Sequence, residues 1–237
     1  MKSPIPGNEA KRLDALWRYH ILDTPPEPMF DDVALVASAI CQTPIALMSL
    51  IDSERQWFKA RVGLDASETP REQAFCAYTV LSNEPLIVED ATLDERFAGN
   101  PLVTSDPHIR FYAGAPLVDR EGHALGSLCV INRKPRQLTA EQKAALTALA
   151  RSVIFHLELR KITAQLVHSL EELQTVRGLL PICSHCKGIK NDQGYWQKVE
   201  DYIRSLTAAD LSHGICPACV EAHYPELHKK LVADGKA

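Results

Sequence analysis

The chain lacks three features that would place it at a membrane or on nucleic acid. No apolar run approaches the ~20 residues that a membrane-spanning helix needs. The polar N-terminus, MKSPIPGNEAKRLD, contains no apolar segment of signal-peptide length. A basic excess is also missing, since the net charge is −4 and residues 179–237 carry seven Lys/Arg against seven Asp/Glu. We therefore expect a cytoplasmic protein without membrane or nucleic-acid partners.

Recognisable catalytic patterns are missing as well. The sequence contains no phosphate-cradling glycine loop, no histidine-kinase phosphoacceptor with an ATP-binding pattern, no cyclase signature and no nucleophile elbow. From these absences we expect no catalytic residues and no enzymatic activity.

The remaining composition is that of a globular protein of one or two domains, with 46% hydrophobic and 24% charged residues in 237. Helical periodicity covers residues 8–21 and 29–42, and a shorter helix is predicted at 71–82. Strand-like segments occur at 44–52, 56–63, 85–89, 110–118 and 124–131. Residues 90–107 form a long irregular stretch, sufficient for a lid over a cavity. The pattern predicts an α+β domain with a mostly antiparallel, five-stranded sheet.

A long helix is predicted from residue 138 to residue 180. Thr139 and Gln142 form a capping-box start, and no proline or glycine interrupts the run before Gly178. Its seam alternates in steps of three and four: Ala145, Ala148, Ser152, Phe155, Leu159, Ile162, Leu166, Ser169, Leu173, Val176 and Leu180. Such a helix reaches roughly 60 Å, so we predict a coiled coil in a parallel homodimer. A single amphipathic helix folded onto one core is the alternative.

Two CxxC pairs give the strongest chemical signal. Cys183, Cys186, Cys216 and Cys219 present four thiolates, the ligand set that a closed structural zinc site prefers. The 29 residues between the pairs contain a predicted helix at 195–206. We therefore predict a small zinc-binding domain at residues 179–237, stabilised by its metal. A redox-active cysteine pair is the alternative.

Several segments together resemble a GAF domain, the small-molecule-sensing module of bacterial signalling proteins: LIDSERQWFKARVGL, REQAFCAYTV, DERFAGNPLV, IRFYAGAPL and GSLCVINRKPRQLT. The resemblance covers about residues 8–160, and we assign residues 1–160 to this domain. It implies a sheet with a ligand cavity on one face, helices on the other, and dimerisation through the terminal helices. Residues 178–228 resemble a cysteine-rich tail found at the C-terminus of bacterial signalling proteins.

The resemblance also implies which residues line the cavity. The candidates lie in the 71–82 helix, the 90–108 lid and the 110–117 strand: Phe75, Cys76, Tyr78, His108, Arg110 and Tyr112. Arg110 would pair with an anionic ligand, or alternatively with an aspartate of the lid (Asp90, Asp94 or Asp106). GAF-type photoreceptors attach a bilin through a cysteine that His often follows. Here Ala77 follows Cys76, which disfavours such attachment.

These features lead to a dimeric sensor-adaptor as the first functional hypothesis. A small molecule or a protein contact at the GAF-like domain would alter the long helix, and the zinc tail would present the change to a signalling protein. The alternatives are a redox-responsive zinc switch and a nucleic-acid-binding regulator that uses the zinc tail. A methionine sulfoxide reductase on this fold needs several cysteines at one pocket, and only Cys76 is expected there.

Overall fold

The computed structural model describes residues 4–174, 181–191, 193–207, 211–212 and 214–233. The chain divides into two compact units, Met1–Leu170 and Glu171–Ala237. No helix within the described ranges has both the length and the hydropathy required to cross a bilayer.

The first unit is built on one antiparallel sheet of six strands. These are β1 (Ile45–Ile51), β2 (Arg55–Val62), β3 (Glu68–Pro70), β4 (Leu86–Val88), β5 (Phe111–Val118) and β6 (Ala124–Asn132). The spatial order is β3-β2-β1-β6-β5-β4. The predicted α+β class is confirmed, but the five-strand expectation is wrong because β3 was missed. This three-residue edge strand ends at Pro70, and proline is tolerated there because no partner requires its amide.

The helices of this unit are α1 (Glu9–Trp17), α2 (Pro28–Cys41), α3 (Cys76–Thr79), α4 (Pro101–Thr104) and α5 (Ala140–Gln174). A short 3-10 helix (Arg71–Gln73) precedes α3. The first helix is shorter than expected because the chain turns at His20, which has a φ of +46°. The single helix predicted at 71–82 is interrupted by Ala74, whose backbone is extended.

The sheet separates two apolar clusters because successive side chains of a strand point to opposite faces. Leu47, Tyr112 and Cys129 belong to the cluster under the lid segment. Their neighbours Met48, Ala113 and Leu128 belong to the cluster that packs against the helices. The helical layer contributes residues from α1, α2 and α5, among them Leu16, Phe30, Ala37, Leu146, Val153 and Leu157.

The long helix α5 begins with the predicted capping box. The amide of Thr139 donates to Gln142 Oε1 at 3.1 Å, and the amide of Gln142 donates to Thr139 Oγ1 at 3.2 Å. Further along, α5 presents apolar side chains that are 43–61% exposed: Phe155, Leu159, Ile162 and Leu166. These four follow the predicted seam. Seam positions Val176 and Leu180 lie outside the described residues.

Polar contacts attach α5 to the rest of its unit. The Tyr19 hydroxyl donates to Glu158 at 2.5 Å. Arg160 Nε lies 3.1 Å from a Glu27 carboxylate oxygen, which also accepts from the fully buried Lys59 Nζ at 2.7 Å. Because Lys59 belongs to β2, this chain of charges links the sheet to α5.

The second unit contains the two-stranded sheet β7 (Ile189–Lys190) and β8 (Trp196–Gln197), followed by α6 (Val199–Leu206), α7 (Pro217–His223) and α8 (Pro225–Ala233). The helix predicted at 195–206 therefore begins four residues later, at Val199. Its first predicted turn is strand instead, because Trp196 and Gln197 pair with Lys190 and Ile189.

Candidate functional site

The first unit contains a cavity of about 180 Å³ on the sheet face opposite the helical layer. Its apolar floor comes from β1, β2, β5 and β6. The segment around α4, which lies within the predicted lid at residues 90–107, covers it. The lining residues are Ile45, Leu47, Gln56, Phe58, Leu64, Ala66, Thr69, Phe75, Cys76, Leu102, Asp106, Pro107, Ile109, Tyr112 and Ile131.

Three of the six candidate residues line this cavity. Phe75, Cys76 and Tyr112 are all buried, and the Phe75 and Tyr112 rings lie 5.2 Å apart between centroids. Tyr112 faces the cavity because it occupies an alternate position of β5, whose neighbours Phe111 and Ala113 face the helices. The cavity set thus combines α3 and the sheet.

The other three candidates lie elsewhere. Tyr78 packs edge-on against Phe97 at 4.8 Å between ring centroids, and His108 is exposed with a φ of +60°. Arg110 Nη1 donates to the carbonyl oxygens of Val103 and Ile109, at 2.9 and 3.0 Å. Arg110 therefore holds the lid through backbone carbonyls, not through the aspartate side chains considered as its alternative partners.

A buried cluster of hydroxyls and thiols adjoins the cavity. The Tyr112 hydroxyl oxygen lies 2.7 Å from Thr79 Oγ1 and 3.4 Å from Ser127 Oγ, and donates to Cys76 Sγ at 3.3 Å. Cys129 Sγ is 3.7 Å from Cys76 Sγ. The sequence analysis had expected only Cys76 at the pocket. The alternation of β6, which turns Cys129 to the same face as Tyr112, is the signal that identifies the second cysteine.

Titration of this cluster depends on burial and on hydrogen bonds. Burial raises the pKa of Cys76, but hydrogen bonds from Cys129, Ser127, Ser49 and Tyr112 outweigh burial and lower this pKa below its ordinary value. The contact with Cys76, together with burial, raises the pKa of Cys129. Burial also raises the pKa of Tyr112. Cys76 is therefore the more acidic thiol of the pair.

Gly114 gives this cluster its space, because a Cβ there would lie only 2.2 Å from the Tyr112 hydroxyl oxygen and 3.0 Å from Thr79 Oγ1. We expect Gly114→Ala to displace the Tyr112 ring, break the Thr79 contact and lower the free energy of unfolding by roughly 1–3 kcal/mol. Urea denaturation followed by fluorescence measures this loss. Gly7→Ala is the matched control, since nothing lies within 4 Å of a Cβ at Gly7. Equal stability of the two variants would contradict the proposed packing.

The cysteines of the second unit form two local pairs. The amide of Cys183 donates to the Gly188 carbonyl at 2.9 Å, and the amide of Lys187 donates back to the Cys183 carbonyl at 2.9 Å. Backbone N–H groups of Cys186 and His185 lower the pKa of Cys183. Likewise, the N–H of Cys219 lowers the pKa of Cys216. Each turn thus stabilises a thiolate, the form that binds a metal.

The structure does not bring all four sulfurs together. Within the described residues, Asp119, Glu121 and His123 form the one group of three or more candidate ligand atoms that lie within 4.8 Å of one another. The Asp119 carboxylate there accepts from the amides of Glu121 and His123, and Glu121 pairs with Arg18, so the group is explained as a turn. The residue types and the local turn of each CxxC pair fit a zinc site. In the structure, the two pairs remain separate halves of such a site.

One curated relative aligns with a large part of the chain. It is named cyclic di-GMP phosphodiesterase PA2567, from Pseudomonas aeruginosa, and is 47% identical over 143 residues. The alignment covers 60% of this chain and 24% of the relative, so the chain spans about a quarter of that protein's length. The expectation of no enzymatic activity is wrong, because this relative's name points to an enzyme, although the match covers the GAF-like part alone.

Solved structures are similar to parts of the chain at low identity and with TM-scores below 0.5. The GAF domain of Thermosynechococcus elongatus PixJ, in its blue-light-absorbing form, is 15% identical with a TM-score of 0.49, covering 71% of this chain and 98% of that one. The GAF domain of an Acinetobacter phosphoenolpyruvate-protein phosphotransferase is 19% identical with a TM-score of 0.45, covering 67% and 98%. These likenesses carry no information on ligand or activity.

The family model described as "GAF domain" matches residues 25–157. This range contains the six-stranded sheet, the cavity and the first half of α5. The chain belongs to the GAF domain family.

Proposed function

We propose that the chain is a sensor domain in cyclic di-GMP signalling, and that the occupancy of its cavity controls a phosphodiesterase activity. The observation that carries the proposal is the 47% identity, over 143 residues, to a protein named as a cyclic di-GMP phosphodiesterase. The cavity of about 180 Å³ supplies a place for the signal.

The sheet offers a short path from the cavity to α5. Phe58 faces the cavity, while the preceding residue of β2, Trp57, belongs to the helix-side cluster. Lys59, the residue that follows Phe58 in β2, contacts Glu27, and Glu27 in turn binds Arg160 of α5. A ligand that shifts β2 by a few tenths of an ångström therefore acts on a packed element that is anchored to α5.

The exposed stripe of α5 would transmit the signal between two copies of the chain. Phe155, Leu159, Ile162 and Leu166 recur at the spacing of a coiled-coil seam and are 43–61% exposed in one chain. We propose that they pair in a parallel homodimer, in which a change at α5 alters the packing of both helices.

The second unit would then present the change to a signalling protein. We propose that one zinc ion draws Cys183, Cys186, Cys216 and Cys219 together, since four thiolates complete a tetrahedral structural site. The metal's role is to fold this unit, and the partner is a protein, because the unit lacks the basic excess that nucleic acid requires.

A chimaera tests the sensory role. Residues 1–170 of this chain replace the matching part of the Pseudomonas aeruginosa relative, and cyclic di-GMP hydrolysis is measured with Ala66→Phe, which fills the cavity mouth, and with Ala10→Phe. Ala10 is exposed on α1 and does not line the cavity. We expect Ala66→Phe alone to change the hydrolysis rate severalfold. Identical rates for the two variants would overturn the proposal.

A further inference from the structure

The cavity contains two polar side-chain atoms whose hydrogen-bonding capacity is not used. Gln56 is 5% exposed, and neither its Oε1 atom nor the Oγ1 atom of Thr69 has a hydrogen-bond partner in the described structure. The two residues pair directly across β2 and β3, so their side chains lie on the same face, and both line the cavity. One end of a mainly apolar cavity is therefore polar.

Unsatisfied buried acceptors are rare in folded proteins because their desolvation is not compensated. A ligand that donates a hydrogen bond to Gln56 Oε1 removes this cost, and a purely apolar ligand does not. The polar end of the cavity thus selects for a donor group.

The charge of the lining excludes anions. Asp106 is its one charged member, and no basic side chain contributes to the lining within the described part of the chain. Arg110, which follows the lining residue Ile109, donates to the carbonyls of Val103 and Ile109 instead of entering the cavity lining. An N–H or O–H group therefore suits this cavity better than a carboxylate or phosphate.

The volume limits the size of the ligand. A cavity of about 180 Å³ is slightly larger than the roughly 150 Å³ apolar cavity that holds benzene. It is smaller than the pockets of about 300–1,000 Å³ that accept drug-sized molecules. One ring or two fused rings fit these limits.

We propose that the cavity binds a compact apolar compound of one or two rings that carries a single N–H or O–H donor, which donates to Gln56 Oε1 at the polar end that Thr69 Oγ1 shares. The inference deepens the sensory role proposed above, since it names the ligand class of that site. Its test is a binding measurement, which is independent of cyclic di-GMP hydrolysis.

Indole and benzofuran are the matched probes, because they have nearly the same shape and only indole carries an N–H donor. Isothermal titration of the 237-residue chain, after dialysis to remove retained small molecules, gives both affinities. We expect indole to bind about tenfold more tightly, the value of one hydrogen bond. If the unsubstituted chain binds the two probes with equal affinity, or binds neither of them, the proposal is overturned.

Two substitutions locate the effect. Thr69→Val and Gln56→Met preserve the size of each side chain and remove the acceptor atoms. The ratio of the indole affinity to the benzofuran affinity should therefore fall towards one. Thr92→Val is the control, because the Thr92 hydroxyl donates to Asp90 and lies outside the cavity lining. A preference that survives both cavity substitutions would also refute the assignment. If indole binds as expected but the hydrolysis rate of the chimaera does not change with Ala66→Phe, the ligand site is supported and the proposed sensory role is refuted.

Discussion

Removing zinc with a chelator is expected to unfold the second unit and to leave the GAF domain folded. Of its described residues, only Ile189, Tyr202 and Val220 are buried hydrophobic side chains, so apolar burial contributes little there. Structural zinc contributes about 10–16 kcal/mol in small zinc-dependent domains at pH 7. Backbone N–H groups in the two CxxC turns lower the pKa of Cys183 and of Cys216, and the metal would supply the bond between the two turns.

The measurement combines zinc release, detected with a chromogenic chelator, with two-dimensional NMR of the same sample. We expect one zinc per chain and loss of dispersed signals from residues 181–233 after chelation, while GAF-domain signals remain. Cys216→Ser should reproduce the loss. Cys41→Ala is the matched control, because Cys41 is buried in the helical layer of the GAF domain. An unchanged spectrum after complete removal of metal would show that zinc does not hold this unit.

Glu9→Gln is expected to lower the free energy of unfolding by about 3–5 kcal/mol, since it leaves buried cations unpaired. Glu9 binds Arg12 at 2.8 Å and Arg71 at 2.6 Å, and the Arg12 side chain is 1% exposed. The same two guanidinium groups donate to the carbonyls of Ile51 and Asp52. One carboxylate therefore pairs with both guanidinium groups at the contact between α1 and the β1–β2 turn.

The pH dependence has a definite sign. Burial raises the pKa of Glu9, but hydrogen bonds from Arg12 and Arg71 outweigh it and lower the pKa to about 2. The folded pKa is thus below the ordinary value of 4.5. The stabilisation is therefore complete above pH 4.5 and is lost as the pH falls towards 2.

Urea denaturation of wild type and Glu9→Gln across this range measures the effect, and the two stabilities should converge near pH 2. Glu121→Gln serves as the control, because Glu121 pairs with Arg18 on the exposed surface, where ion pairs contribute little. A pH-independent difference, or an equal loss in the control, would contradict the assigned role of Glu9.

Local patterns in the sequence were sufficient for the sheet and the long helix. Strand-like runs bounded by polar turns placed β1, β2, β5 and β6 correctly, and in the folded sheet both faces of these strands are largely buried. Thr139 and Gln142 marked the start of α5, because the capping box is a contact between residues close in sequence.

The cavity was only partly predictable because its polar end depends on contacts between distant segments. Gln56 and Thr69 meet only through the pairing of β2 with a three-residue edge strand, which no local pattern specified. Arg110 was predicted to pair with an anionic ligand or with an aspartate of the lid, whereas the fold directs its guanidinium to backbone carbonyls of the lid. The absence of catalytic motifs predicted no enzymatic activity, and the name of the relative that is 47% identical over 143 residues contradicts this expectation.

The central claim is that the protein is a dimeric sensor whose cavity binds a small molecule. Mass spectrometry of the intact protein under non-denaturing conditions tests this claim most directly. It reports the number of subunits, the metal content and any retained small molecule in one spectrum. We predict two chains and two zinc ions, with one added mass per chain when indole is supplied. A monomer that binds neither zinc nor indole would contradict the account.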